Sequence, residues 1–310
     1  MEKIKIAVLL GGESSEREVS LASGEKVLEN ISKEKYEVFR YDPKSELLEF
    51  IQDMKDQKFD VVFPVLHGKF GEDGTIQGLM ELFHVPYVGC GVLTSSLCMD
   101  KVKTKKMVES YGIITPKYQV FYDKKDINMD SISLPCVVKP NWAGSSVGVS
   151  IVKNKVDLLG AINVAFSENK EILVEDFIEG EEYTVSVIGP NKKSNVLPVT
   201  RIISNEGDFY NYKSKYSKGG STHICPAKID NGLNKKLQDT SEQIYKLLGC
   251  DGMSRIDFMV DQNENFYFIE ANTIPGMTDT SLLPEAAKAA GIDFPKLLDN
   301  LIQWALLGSK

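Results

Sequence analysis

The chain has 310 residues, 42% hydrophobic and 26% charged, the balance of an ordinary globular protein with room for two or three cores. A formal net charge of −8 argues against a nucleic-acid partner, and no apolar run approaches the ~20 residues of a membrane span, which argues against a membrane role. The five cysteines (Cys90, Cys98, Cys136, Cys225, Cys250) lack CxxC spacing, so a disulfide scaffold or zinc cluster is not expected and a reducing cytoplasm is.

The first apolar run, residues 5–10, stops at Gly11-Gly12 and passes into charge, so it reads as a buried strand rather than a signal peptide. Helical spacing over 19–30, a strand at 36–41, a helix at 45–55, a strand at 61–66 and a helix at 75–83 follow. This alternation predicts a small parallel sheet, with ligand sites beyond the carboxyl ends of its strands. Two loops fall at such ends, 11–18 and 67–74. The first is Gly-rich, but its acidic residues suit a ligand ammonium better than a phosphate. Neither loop carries GxGxxG or GxxxxGK[ST], which weakens Rossmann and Walker readings, and tight turns with a capped helix would equally explain each.

A Lys-rich helix around 97–112 marks a domain change, and its charge run reads as a solvated face. Pro116 ends it and a strand-rich segment begins. A short strand at 136–140 ends in Lys139-Pro140. The small-residue loop after it, 141–150, has glycines and serines whose amides and hydroxyls could converge on phosphate oxygens, with Lys139 as a point charge; a flexible β-turn is the alternative. Strands at 172–177 and 183–188 follow. A long polar stretch between Ser204 and His223 suits a lid or a disordered connection. Helical spacing returns at 233–248.

The densest chemistry lies in 254–272, two strands at 255–260 and 266–271 joined by a polar turn. A hairpin centred between Asn263 and Glu264 sets Asp257 opposite Glu270 and Arg255 opposite Asn272. One face then carries two carboxylates, an amide and a guanidinium, and the other Ile256, Phe258, Ile269 and Ala271. Such hard oxygen ligands suit Mg²⁺ shared with substrate phosphates; the alternative is a solvated outer face. A Pro/Gly/Ser/Thr loop leads to two amphipathic helices, 282–290 and 294–307.

Taken together, Gly11-Gly12…Ser15-Glu16-Arg17-Glu18, His67-Gly68…Gly71-Glu72-Asp73-Gly74, Met99-Asp100-Lys101, Lys139-Pro140…Gly144-Ser145-Ser146-Val147-Gly148, Lys215-Tyr216, Arg255-Ile256-Asp257 and Glu270-Ala271-Asn272-Thr273…Pro275-Gly276-Met277-Thr278…Ser281 resemble the ATP-grasp ligases, and within them the D-alanine–D-alanine ligase family. The resemblance spans essentially the whole chain. It implies an α/β and α+β architecture: an N-terminal parallel-sheet (pre-ATP-grasp) domain, 1–98, a central ATP-grasp subdomain, 99–182, and a C-terminal one, 183–310. It implies ATP between the last two, with Lys101 and Lys139 toward its phosphates, Ser146 also at the nucleotide, and Lys215 at both nucleotide and substrate. Glu175, Phe177, Ile178, Glu182, Phe209, Met259 and Ile269 would surround the rest of the nucleotide. Asp257, Glu270 and Asn272 would hold two Mg²⁺, with Mn²⁺ as a substitute.

By the same resemblance one D-alanine is phosphorylated on its carboxylate and the amine of a second D-alanine attacks. Glu16 would bind the first ammonium, with His67 nearby, and would link through Ser145 to Tyr216. Arg255 and the Gly276 amide would meet the oxyanion, and Ser281 and Leu282 the second carboxylate. A homodimer is also implied. Departures from the family at Trp142 and Ala143, and at variable Ile274, lie beside motif residues and would tune affinity. The rival readings are an ATP-grasp ligase with another acceptor, above all D-lactate, and a catalytically silent nucleotide-binding regulator. Lys215-Tyr216 argues against the first, the retained charged set against the second.

Overall fold

The structure is a computed structural model that describes residues 2–144, 146–205 and 220–308. Strand β1 (Ile4–Leu9) pairs in parallel with β2 (Tyr36–Tyr41) on one side and β3 (Val61–Pro64) on the other. Parallel strands need crossovers, and α1 (Arg17–Asn30) and α2 (Pro43–Lys55) supply them. Asp42 starts α2 by accepting the Lys44 amide, with Pro43 in the first turn where its missing N–H does no harm. Then α3 (Thr75–Leu82) follows the loop opened by His67. The predicted βαβ rhythm is thus present.

The predicted single helix around 97–112 is two, α4 (Val92–Met99) and α5 (Lys101–Glu109). Asp100 breaks them with ψ 95°, and its carboxylate accepts the Lys103 amide as the cap of α5. The lysine run is not a solvated face either. Lys103 and Lys106 are exposed, but Lys101 and Lys105, one turn apart, point inward, where Glu270 and Glu175 take their charges.

The second sheet is antiparallel. Its strands β4 (Tyr118–Phe121), β5 (Cys136–Pro140), β6 (Ser150–Val152) and β7 (Ile172–Asp176) lie in the order β4-β7-β5-β6. One face packs on α6 (Lys155–Glu168) through Leu158, Ala161, Ile162 and Ala165, the spacing of one helical stripe.

The third sheet runs β11-β10-β8-β12-β13, made of β8 (Gly180–Gly189), β10 (Thr200–Ser204), β11 (Ser221–Ile224), β12 (Gly252–Asp261) and β13 (Phe266–Asn272), with β9 (Asn195–Val196) beside β8. Leu233, Leu237, Ile244 and Tyr245 of α7 (Asn231–Leu247) pack on its far face. The last helices, α8 (Leu282–Ala289) and α9 (Phe294–Leu306), return to the first sheet. Leu283, Leu297, Leu301 and Ile302 share one buried cluster with Ile6, Val8 and Val27. No described helix is long and apolar enough to cross a membrane.

Candidate active site

The β12–β13 hairpin has the register its spacing predicts near the site: Arg255 opposes Asn272 and Asp257 opposes Glu270. One residue further the ladder shifts, and Phe258 pairs with Phe268. Ile269 is the extra residue of this bulge. It does not join Ile256, Phe258 and Ala271 on the packed face, as plain alternation predicts. Phe268 takes that place, and Ile269 turns into a cavity beside Met259.

Asp257 is 5% exposed and held by four hydrogen bonds from three side chains. Arg255 grips it with two prongs, Nε to Oδ1 at 2.9 Å and Nη2 to Oδ2 at 2.8 Å, the strong geometry for a guanidinium. Thr184 Oγ1 donates to Oδ1 at 2.5 Å and Asn272 Nδ2 to Oδ2 at 3.0 Å. Since the Asn272 amide nitrogen is spent on Asp257, its oxygen is the atom suited to a cation. Glu270 lies 3.7 Å from Lys101 Nζ, which also donates to the Ala143 carbonyl at 2.6 Å. Among the described residues no three His, Cys, Asp or Glu side chains form a metal cage by themselves. Two carboxylates and an amide oxygen fit Mg²⁺, which takes few protein ligands and shares substrate phosphates.

A cavity of about 310 Å³ opens between the second and third sheets, within the size range of small-molecule sites. Of the residues predicted to meet the nucleotide, Lys101, Lys139, Ser146 and Glu175 line it. Phe177 and Ile178 do so from the β7–β8 turn, Glu182 from β8, and Met259 and Ile269 from the hairpin. Asp257 and Glu270 stand at its wall. Glu175, 3% exposed, is bound by two lysines, Lys139 at 2.9 Å and Lys105 at 3.0 Å. Those ammoniums hold its carboxyl low against the opposing effect of burial, which is the larger single influence.

A second cavity, about 50 Å³, adjoins the other end of the hairpin. It gathers Glu16, His67, Arg255, Asn272, Gly276, Ser281 and Leu282 from distant parts of the chain, and all but Asn272 are among the predicted substrate residues. Ser14 builds the loop beneath: its hydroxyl donates to the His67 carbonyl at 2.6 Å and accepts the Glu16 amide. Burial, with Arg255 adding to it, pushes His67 down to about 4, so its ring is neutral near pH 7. Ser281 immediately precedes α8, and its hydroxyl accepts the Thr278 amide at 2.9 Å.

Glu72 and Gly144 line the smaller cavity and Lys105 lies behind the wall of the larger one against Glu175, and none of the three had an assigned role in the sequence. Glu72 accepts amides from Gly68 at 2.7 Å and Ile274 at 3.3 Å, and burial, then the nearby Glu16, raises it to about 8. Its signal was present, a carboxylate inside the glycine-bounded loop after a strand. Gly144 packs so closely on Glu16 that any Cβ would strike Oε2. Lys105 gave no signal apart from its charge run. Ser145, Phe209, Lys215 and Tyr216 lie outside the described residues.

Family comparison agrees across both halves of the chain. A family model for the D-ala D-ala ligase N-terminus matches residues 5–47 and 40–90, and one for the D-ala D-ala ligase C-terminus matches 107–303. A D-alanine–D-alanine ligase of Carboxydothermus hydrogenoformans is 43% identical over 314 residues, covering 98% of this chain and 99% of that protein. Among solved structures, the Bacillus anthracis D-alanine–D-alanine ligase complexed with ATP is 35% identical, with a TM-score of 0.84 over 99% of this chain and 98% of the other. The VanG D-Ala:D-Ser ligase of Enterococcus faecalis is 36% identical, with a TM-score of 0.83 over 98% and 100%.

Proposed function

The chain belongs to the D-alanine–D-alanine ligase family, and from that premise we infer the reaction its two cavities serve. It is an ATP-dependent ligase that joins two D-alanines into D-alanyl-D-alanine, a building block of peptidoglycan precursors, releasing ADP and phosphate. One observation carries the reading at the site: the hairpin register that sets Arg255, Asp257, Glu270 and Asn272 where the larger and smaller cavities meet.

A carboxylate oxygen is a poor leaving group, so the donor D-alanine is first activated as an acyl phosphate, which needs cations along the path of the moving phosphoryl group. Lys101 and Lys139 are proposed to meet the phosphates. Asp257, Glu270 and Asn272 would hold Mg²⁺, whose charge offsets that of the phosphate oxygens when it is bound. Ser146, Glu175, Phe177, Ile178, Glu182, Met259 and Ile269 would fix the rest of the nucleotide.

In the smaller cavity Glu16 is proposed to bind the donor ammonium, with neutral His67 beside it. Arg255, already oriented by Asp257, and the Gly276 amide would face the tetrahedral oxyanion formed when the second amine attacks. One preorganised donor of this kind is worth roughly 3–4 kcal/mol. The Ser281 hydroxyl and the Leu282 amide at the start of α8 would receive the acceptor carboxylate. Ser145, Lys215, Tyr216 and Phe209 keep the roles their motifs imply, Tyr216 joining Ser145 and Glu16 near the attacking amine.

A cytoplasmic location, a homodimeric state and the division into 1–98, 99–182 and 183–310 complete the proposal. Each of these ranges contains one of the three sheets, apart from the first residues of β8.

Acceptor choice is tested by offering D-alanine, D-lactate and D-serine together at pH 7 with ATP and Mg²⁺, and separating the products by mass. D-Alanyl-D-alanine should predominate, because a neutral tyrosine at position 216 does not repel an incoming ammonium. Predominance of the ester or of the D-serine product would overturn the acceptor assignment.

A further inference from the structure

Among the described residues, Lys105 is the most buried charge that the reaction above does not use. It is 0% exposed, with its ammonium 3.0 Å from Glu175 Oε1 and 5.4 Å from the centre of the Tyr118 ring. The other oxygen of Glu175 lies 2.9 Å from Lys139 Nζ. Glu175 and Lys139 line the larger cavity, and Lys105 does not. The three charges therefore form a row, from α5 behind the wall, through β7, to β5 at the cavity.

Burying an ammonium is unfavourable, and an apolar side chain of similar size would fill the same space at less expense in stability. Its position gives the charge a use. Facing Lys139 alone, Glu175 would neutralise that ammonium and draw it away from a ligand. With Lys105 on its second oxygen, the carboxylate is shared between two cations, and the row keeps a net positive charge facing the cavity. Lys101, one turn earlier on the same face of α5, reaches that cavity directly, whereas Lys105 acts on it through Glu175 and Lys139.

We propose that Lys105 is a positioning residue for the nucleotide: it anchors Glu175 from behind the wall and, through it, keeps the Lys139 ammonium available to bound polyphosphate. The proposal rests on the larger cavity being the ATP site. Burial pulls the Lys105 pKa down to about 8, with Lys139 adding to the effect and Glu175 and Glu109 opposing it, so the anchor is charged at neutral pH.

The test is a double-mutant cycle read by ADP binding calorimetry on the full chain, with Lys105→Met, Glu175→Gln and the pair. K105M should weaken ADP binding roughly tenfold or more, the scale of loss when one partner of a buried ion pair is removed. In the E175Q background the same change should alter affinity by less than about twofold, since the anchor then has nothing to hold. At saturating ATP the KM for D-alanine should stay within about twofold of wild type, a split that general damage to the fold would not give.

If K105M does not fold, Lys105→Gln, which keeps a donor but no charge, replaces it in the cycle. ADP affinity equal to wild type in the folded variant, or an equal loss with and without Glu175, would overturn the proposal. Failure of the wild-type protein to bind ADP would instead refute the nucleotide reading of the cavity.

Discussion

Glu16 is fixed by what crowds it. At 4% exposure its carboxylate lies against the backbone of Gly68 and Gly144, and a Cβ at either would meet Oε2. Gly144→Ala should therefore displace Glu16 and lower kcat/KM for D-alanine by roughly tenfold or more, because a small misplacement at a reacting centre is expensive. Thermal stability should change little, since Gly144 lies in a loop and contributes no side chain to a core. Glu72, beside Glu16, makes a pH signature. Its folded pKa, about 8, lies above the ordinary 4.5, so the folded state binds the extra proton. Its contribution to stability is present below about 4.5 and is lost as pH rises toward 8. His67 runs the other way between about 4 and 6.5, where the unfolded chain binds the extra proton. Denaturant midpoints measured from pH 5 to 8 should fall less steeply in Glu72→Gln than in wild type. A steeper fall in the variant would contradict the assignment of that proton to Glu72.

The hairpin was legible in the sequence because strand alternation and a polar turn fix a register without reference to the rest of the molecule. The bulge was not, since Ile269 is an ordinary strand residue with no glycine or proline to mark it. Deleting Ile269 should close the bulge, keep Asp257 opposite Glu270, and weaken nucleotide binding by removing one apolar wall; loss of folding in the deletion variant would show that the bulge is needed for the sheet itself. Other elements escaped for similar reasons. The stripe of α6 is blurred by exposed Val156, Leu159 and Val164, which left the helix without a clear apolar period. The inward turn of Lys101 and Lys105 depends on Glu270 and Glu175, partners that only the tertiary fold brings near.

At the scale of the whole molecule the site exists because three sheets converge on it. The first sheet contributes Glu16, His67 and Glu72 from loops beyond its strands, the second Lys139 and Gly144, and the third Arg255, Asp257, Glu270 and Asn272. α8 and α9 pack on the first sheet and so bring Ser281 and Leu282 to the smaller cavity. Motif order carried these residues into one reading before their positions were known; their distances and burial required the fold. Activation of the donor carboxylate at the boundary of the two cavities is the centre of the account. It is tested by supplying D-alanine labelled with ¹⁸O in its carboxylate, together with ATP and Mg²⁺, and measuring the label in released phosphate. One labelled oxygen should pass to phosphate for each dipeptide made, because the carboxylate oxygen leaves with the phosphoryl group. Dipeptide formed with unlabelled phosphate, or with AMP and pyrophosphate in place of ADP and phosphate, would contradict it.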